Sequence, residues 1–159
     1  MGPFDGIQDF TIGSGAIEVK ATLSPLGFPA KIRSLEQLDA STRQPLFVSG
    51  VRLRQVAHGQ SLPEFGEAFR KMIQGDAEAE SLLSERLLAA GYFDVHADKY
   101  ARRFDLVGVR ILEVDESFPR LTSGNVPVGV RRAMYEIDLD KVSGENIGTE
   151  QALKRLGAI

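Results

Sequence analysis

Residues 7–22, IQDFTIGSGAIEVKAT, constrain the fold more than any later stretch. Two short apolar-alternating runs flank Gly13-Ser14-Gly15. Successive side chains on a strand point to opposite faces, so a period of two marks strands rather than helices. Ile7 to Ile12 reads as a first strand, interrupted around Asp9. Ala16 to Thr22 reads as a second, with Ile17 and Val19 on one face and Glu18, Lys20 and Thr22 on the other. Glycine reaches positive φ without steric cost, so the Gly-Ser-Gly run closes the pair into a hairpin. Asp9, Glu18 and Lys20 then occupy fixed places on that hairpin.

The pattern changes in the middle of the chain. Pro25, Gly27 and Pro29 mark a loop, after which residues 30–33 re-enter a sheet. Ser34 and Gln37 have the spacing of a capping box, which predicts a short helix from Leu35 to about Ala40. Residues 45–57 form the best strand after the hairpin, with Val51 and Leu53 alternating with Arg52 and Arg54. Ser61 and Glu64 make a second capping box, opening a helix to about Ile73 that Gly75 stops. Asp76 starts another helix, carrying Leu82, Leu83, Leu87 and Leu88 and ending at Gly91. Strands are expected at 104–114 and 130–139, and a short helix from Thr149 to Gly157. Strand-rich ends around a helical middle imply an α/β (α+β) domain with a mixed or antiparallel sheet, not a regular βαβ array.

Composition removes several function classes. The chain of 159 residues is sized for a single domain. It contains no cysteine, which excludes disulfides, thiolate zinc sites and cysteine nucleophiles, and points to an intracellular, cytoplasmic protein. His58 and His96 lack metal-ligand spacing. No apolar run approaches bilayer length, so no membrane partner is expected. The net charge of −3 is unlike that of a protein holding DNA by charge alone. Any nucleic-acid surface must therefore be a local basic patch.

The hairpin carries the residue types that metal-assisted phosphodiester hydrolysis needs. Carboxylates suit a hard cation such as Mg²⁺, which acidifies water and offsets phosphate charge. A neighbouring lysine orients that water and stabilises developing charge. Glu18 and Lys20 are two apart on a strand and share a face. Asp9 lies on the neighbouring strand, where it can come near Glu18, and the Val19 carbonyl is a further ligand. A solvated hairpin with a cross-strand ion pair has the same composition. Asp5 is an alternative acid, although its place before Gly6 suits a turn.

Asp9, eight intervening residues, then Glu18-Val19-Lys20 resembles the D…(D/E)-x-K signature of the PD-(D/E)XK nuclease superfamily. The likeness extends through IRSLEQLD, PLFVSGVRL, SLPEF, AAGY and FPRLT…VPVGVRRAMYEIDLD. Over most of the chain it is similar to a family of PD-(D/E)XK-motif proteins found beside bacterial DNA methyltransferases in restriction-like defence loci. The resemblance implies a restriction-endonuclease-like mixed sheet flanked by helices. It implies Asp9 and Glu18 as ligands of Mg²⁺ (or Mn²⁺), with the Val19 carbonyl, and Lys20 as the water-orienting group. Gln37 corresponds to a glutamine that some branches carry on the helix after the active-site strand.

Two departures stand out. Gln8 replaces the signature's proline, and only eight residues precede Asp9. The resemblance thus implies a single domain, 1–159, lacking the N-terminal core helix or forming the C-terminal part of a longer protein. The expected activity is a Mg²⁺-dependent DNA endonuclease in a bacterial restriction or anti-phage system. The alternative is a catalytically inactive DNA-binding or assembly subunit. Arg52 and Arg54, with Lys99 and Arg102 around Tyr100, are the candidate DNA contacts. The expected partners are DNA, a second copy of the chain through its apolar helices, and a methyltransferase or other defence protein.

Overall fold

A computed structural model describes residues 6–159; Asp5, the alternative acid, lies outside the described residues. The architecture is mixed α+β. Nine regular elements follow in chain order: β1 (Phe10–Ile12), β2 (Gly15–Thr22), β3 (Pro29–Ile32), β4 (Leu46–Ser61), α1 (Leu62–Met72), α2 (Ala77–Ala89), β5 (Arg103–Glu113), β6 (Tyr135–Asp138) and α3 (Thr149–Arg155). Two 3-10 turns, Asp94–Lys99 and Leu139–Lys141, complete the set among the described residues. The chain packs as two compact units, one of residues 54–105 and one of residues 7–53 with 106–159.

The unit of residues 7–53 and 106–159 holds the hairpin. Phe10 pairs with Ile17 and Ile12 with Gly15, antiparallel, around the turn Gly13-Ser14. Gly13 has φ +56°, the left-handed conformation that glycine tolerates. At Gly15 the need is space, because a Cβ there would lie 2.4 Å from Leu156 Cδ2 and 2.6 Å from the Pro45 carbonyl. On its other edge β2 runs parallel to β4, with Ala16 opposite Leu46 and Lys20 opposite Gly50. The sheet order is β1-β2-β4-β5, and it is mixed. A second, two-stranded sheet pairs β3 with β6 antiparallel.

Period-two alternation divides the core between the faces of β2 and β4. Phe47 packs with Ile111, Ala152 and Leu156, and Ile17 lies against them, so α3 covers that face. Ala16, Leu46 and Val48 pack on the other face with Phe28, Ala30, Ile32, Leu38 and Leu139. Glu18 is on this second face, among the core residues rather than in solvent.

The unit of residues 54–105 is built differently. Ser61 caps α1 with a full capping box, its hydroxyl accepting from the Glu64 N–H while the Glu64 carboxylate accepts from the Ser61 N–H. Asp76 caps α2 by accepting from the Ala79 N–H. These are the two helix starts expected from SLPE and Asp76. Yet no residue of α2 is buried, and Phe69, Met72, Leu82 and Leu88 are all exposed.

Several boundaries differ from the sequence pattern. Residues 7–9 form bends, so β1 is three residues long. Residues 34–40 form bends and turns and not a helix. There Gln37 accepts from the Arg33 N–H at 2.7 Å, and Asp39 donates its N–H to the Glu36 carbonyl at 3.2 Å. The side-chain bond closes the chain locally and competes with helix propagation. The last strand is limited to Tyr135–Asp138, since residues 126–134 are coil around a turn.

Candidate active site

Four of the residues singled out in the sequence meet on the buried face of β2. Asp9 directly precedes β1, whose first residue, Phe10, pairs with Ile17 beside Glu18. Asp9 Oδ2 accepts from the Val19 N–H at 2.8 Å. This bond holds the acid against β2 although Asp9 itself is outside the regular strand. Glu18 is only 1% exposed. Its Oε1 accepts from Lys20 Nζ at 2.6 Å and from Gln37 Nε2 at 2.9 Å. Lys20 and Gln37 thus converge on one oxygen of one buried carboxylate.

The other oxygen, Glu18 Oε2, is buried with no hydrogen-bond partner among the described residues. An orphaned carboxylate oxygen in a core is costly, because water no longer solvates it. Burial pushes the Glu18 carboxyl above its ordinary value, the Lys20 hydrogen bond and charge oppose this, and the Asp9 charge adds to the rise. The bland alternative of a solvated cross-strand ion pair does not describe this geometry. Glu18 pairs along its own strand with Lys20, whose side chain is 13% exposed, and neither group faces bulk water freely.

The donor set fits a hard divalent cation. Glu18 Oε2 and the Asp9 carboxylate are oxygen ligands of the kind that magnesium prefers. Among the described residues no group of three His, Asp or Glu converges. Two protein carboxylates plus water and substrate oxygens is an ordinary magnesium arrangement.

Gln8 is a residue of this site that pattern reading missed. It is buried, and its Nε2 donates to the carbonyls of Glu36 and Gln37 at 3.3 and 3.4 Å. The Gln37 loop is therefore tied to the segment carrying Asp9. The available signal was the amide's position directly before Asp9, where the signature has proline.

The candidate DNA contacts are scattered by comparison. Arg52 is engaged inside the fold: its guanidinium donates to the carbonyls of Ser24 and Gly27, pairs with Asp140 at 2.7 Å and lies over the Phe28 ring at 5.3 Å. Arg54 is exposed and 3.6 Å from Asp105. Arg102 donates to Gln55 and lies over Phe104. Lys99 is exposed at the end of a 3-10 turn. Arg54, Lys99 and Arg102 belong to the unit of residues 54–105, whereas Arg52 and the acids belong to the other.

No helix among the described residues is long and apolar enough to cross a membrane. No curated protein and no solved structure matches the chain. A family model described as "Putative PD-(D/E)XK family member, (DUF4420)" matches residues 1–140, a span that includes Asp9, Glu18, Lys20 and Gln37. With most of its length matched, the chain belongs to this PD-(D/E)XK family.

Proposed function

We propose that the protein is a magnesium-dependent DNA endonuclease whose hydrolytic centre is built from Asp9, Glu18, Lys20 and Gln37. The observation that carries this reading is the buried Glu18, with Lys20 and Gln37 on one oxygen and no partner among the described residues on the other. A structural ion pair has no use for the unpartnered oxygen, whereas a ligand does. Asp9 and Glu18, with the Val19 carbonyl, would hold magnesium, which would supply an acidified water and offset phosphate charge; the same oxygens suit manganese.

The remaining work falls to the chain's own groups. Gln37 fixes the Glu18 carboxylate in one orientation, and Gln8 fixes the Gln37 loop. The Val19 N–H fixes Asp9. Lys20 presents an ammonium beside Glu18, where it orients the attacking water and stabilises charge developing on the phosphate. Attack is direct, with no covalent enzyme intermediate. The restriction-like setting, with a DNA methyltransferase as partner, belongs to the same proposal and rests on the family likeness. A homodimer would place two such centres on two strands, and the exposed apolar residues of α1 and α2 support that assembly.

Plasmid cleavage with Mg²⁺ or Mn²⁺ tests the centre. Lys20→Ala is expected to lower the rate by about a hundredfold or more, as for loss of an electrostatic stabiliser. Glu18→Ala is expected to abolish cleavage. Cleavage that survives both substitutions would remove the assignment. A wild type that binds DNA without cutting it would leave a binding or assembly subunit.

A further inference from the structure

The chain's net charge of −3 requires any DNA surface to be local, and the unit of residues 7–53 and 106–159 contains a basic locality distinct from Arg52. On β3, Ala30 and Ile32 are buried while Lys31 and the following Arg33 are exposed. Ile32 pairs with Tyr135 of β6. Arg33 directly follows Ile32 in the chain, and Arg131, Arg132 and Met134 lie just before Tyr135. All four cations are exposed, and none holds an ion pair among the described residues. Glu136, opposite Lys31, is the nearest acid in the pairing. Residues 126–134, VPVGVRRAM, contain no acid.

The same segment presents an apolar tip. The Val130 N–H donates to the Pro127 carbonyl at 3.1 Å, and Gly129 has φ +96°, so residues 127–130 form a closed turn with glycine in its left-handed position. Val128 at the tip is 107% exposed, and Met134 is 77% exposed. A turn held by its own hydrogen bond presents these side chains without further ordering. Unpaired arginines beside an exposed apolar wedge are the chemistry of a groove contact, in which cations meet phosphates and the wedge meets a base step. The surface also adjoins the proposed centre along the chain, because the Arg33 N–H bonds to Gln37 Oε1.

We propose that Lys31, Arg33, Arg131 and Arg132, with the Val128 turn, form the surface on which this unit binds duplex DNA. The inference rests on the nuclease reading and names where its substrate docks. It moves the contact away from Arg52, which is engaged internally, and from Arg54, Lys99 and Arg102 on the other unit.

Fluorescence anisotropy with a labelled duplex, in metal-free buffer over a range of salt, tests it, alongside plasmid cleavage in Mg²⁺. The triple variant Arg33→Ala/Arg131→Ala/Arg132→Ala should weaken binding at least tenfold. It should also reduce the log–log salt slope by about 3, close to one for each phosphate that the variant no longer neutralises. Val128→Ser should weaken binding a few-fold without changing the slope, and Lys154→Ala on α3 should change neither. Thermal melting confirms that the variants fold. A folded triple variant that binds with the wild-type slope overturns the surface, and if the wild type cleaves, the nuclease reading stands. Transfer of the slope change to an Arg54→Ala/Lys99→Ala/Arg102→Ala variant overturns it in favour of the other unit. Equal binding of polyglutamate and duplex overturns it in favour of an acidic protein partner. A wild type that neither binds nor cleaves DNA overturns both readings.

Discussion

The unit of residues 7–53 and 106–159 and the unit of residues 54–105 use the sequence in opposite ways. In the first, both buried apolar clusters form, although Phe10, Leu106 and Met134 stay exposed, and the burial reaches polar groups as well, including Gln8, Glu18 and Gln37. In the second, helix signals are strong and the helices form with their caps, but Leu62, Leu82, Leu88, Phe69 and Met72 remain exposed, and no residue of α2 is buried. Capping is a local transaction between a side chain and the nearest free N–H groups. Burial needs a partner surface. The difference teaches that a well-signalled helix need not be a well-buried one. It also puts the buried Glu18 carboxylate in the unit that holds both apolar clusters.

Removing a large core side chain should separate the two units most clearly. Phe47→Ala is expected to cost about 3–5 kcal/mol in denaturant unfolding, through reduced burial and a cavity. Met72→Ala, exposed on α1, should stay within about 0.5 kcal/mol. Equal losses would break the contrast. Next in size is Gly15→Ala, where the added Cβ meets Leu156 and the Pro45 carbonyl. About 1–3 kcal/mol of destabilisation is expected, with a neutral melting temperature counting against the close approach. Ser61→Ala removes one capping bond of α1 and should cost about 1 kcal/mol. Hydrogen exchange should quicken in α1 and leave β2 protected, and faster exchange in both would show that the units open together.

The smallest effect is a pH dependence. Asp138 accepts from the N–H groups of Phe28 and Asp140, which holds its carboxyl below the ordinary value of 3.8, with Lys141 assisting. Below that value the unfolded chain binds a proton that the folded chain resists. The stabilisation is therefore present above pH 3.8 and is lost as pH falls through the lower folded value. Asp138→Asn keeps an acceptor oxygen and removes the titration. Its acid unfolding curve should be flatter than that of the wild type, and an unchanged acid limb would discount the Asp138 bonds.

Much of the architecture is legible without coordinates. The hairpin, the strand expected over residues 45–57 and found at 46–61, the capped helices and the mixed α+β class follow from period, turn glycines and capping boxes. These signals act between residues close in sequence. Leu35–Ala40 has the pattern of a helix start because SLEQ has capping-box spacing, yet it does not form one. In the fold the Gln37 side chain is committed to Arg33 on one side and Glu18 on the other. The strand expected over 130–139 is short because pairing with β3 covers only Tyr135–Asp138, leaving residues 126–134 to form the turn.

The sequence by itself determined the spacing of Asp9, Glu18 and Lys20, and with it the shared face of Glu18 and Lys20, since a strand's period is two. Only the tertiary structure decided that this face is buried, that Gln37 reaches it from nineteen residues away, and that Glu18 keeps one oxygen without a partner among the described residues. It likewise decided that Arg52 is bound internally while Arg33, Arg131 and Arg132 are exposed, with no ion pair among the described residues. The physical reason is that period and capping are set by near neighbours along the chain. Desolvation and pairing depend on which distant segments the fold brings against them.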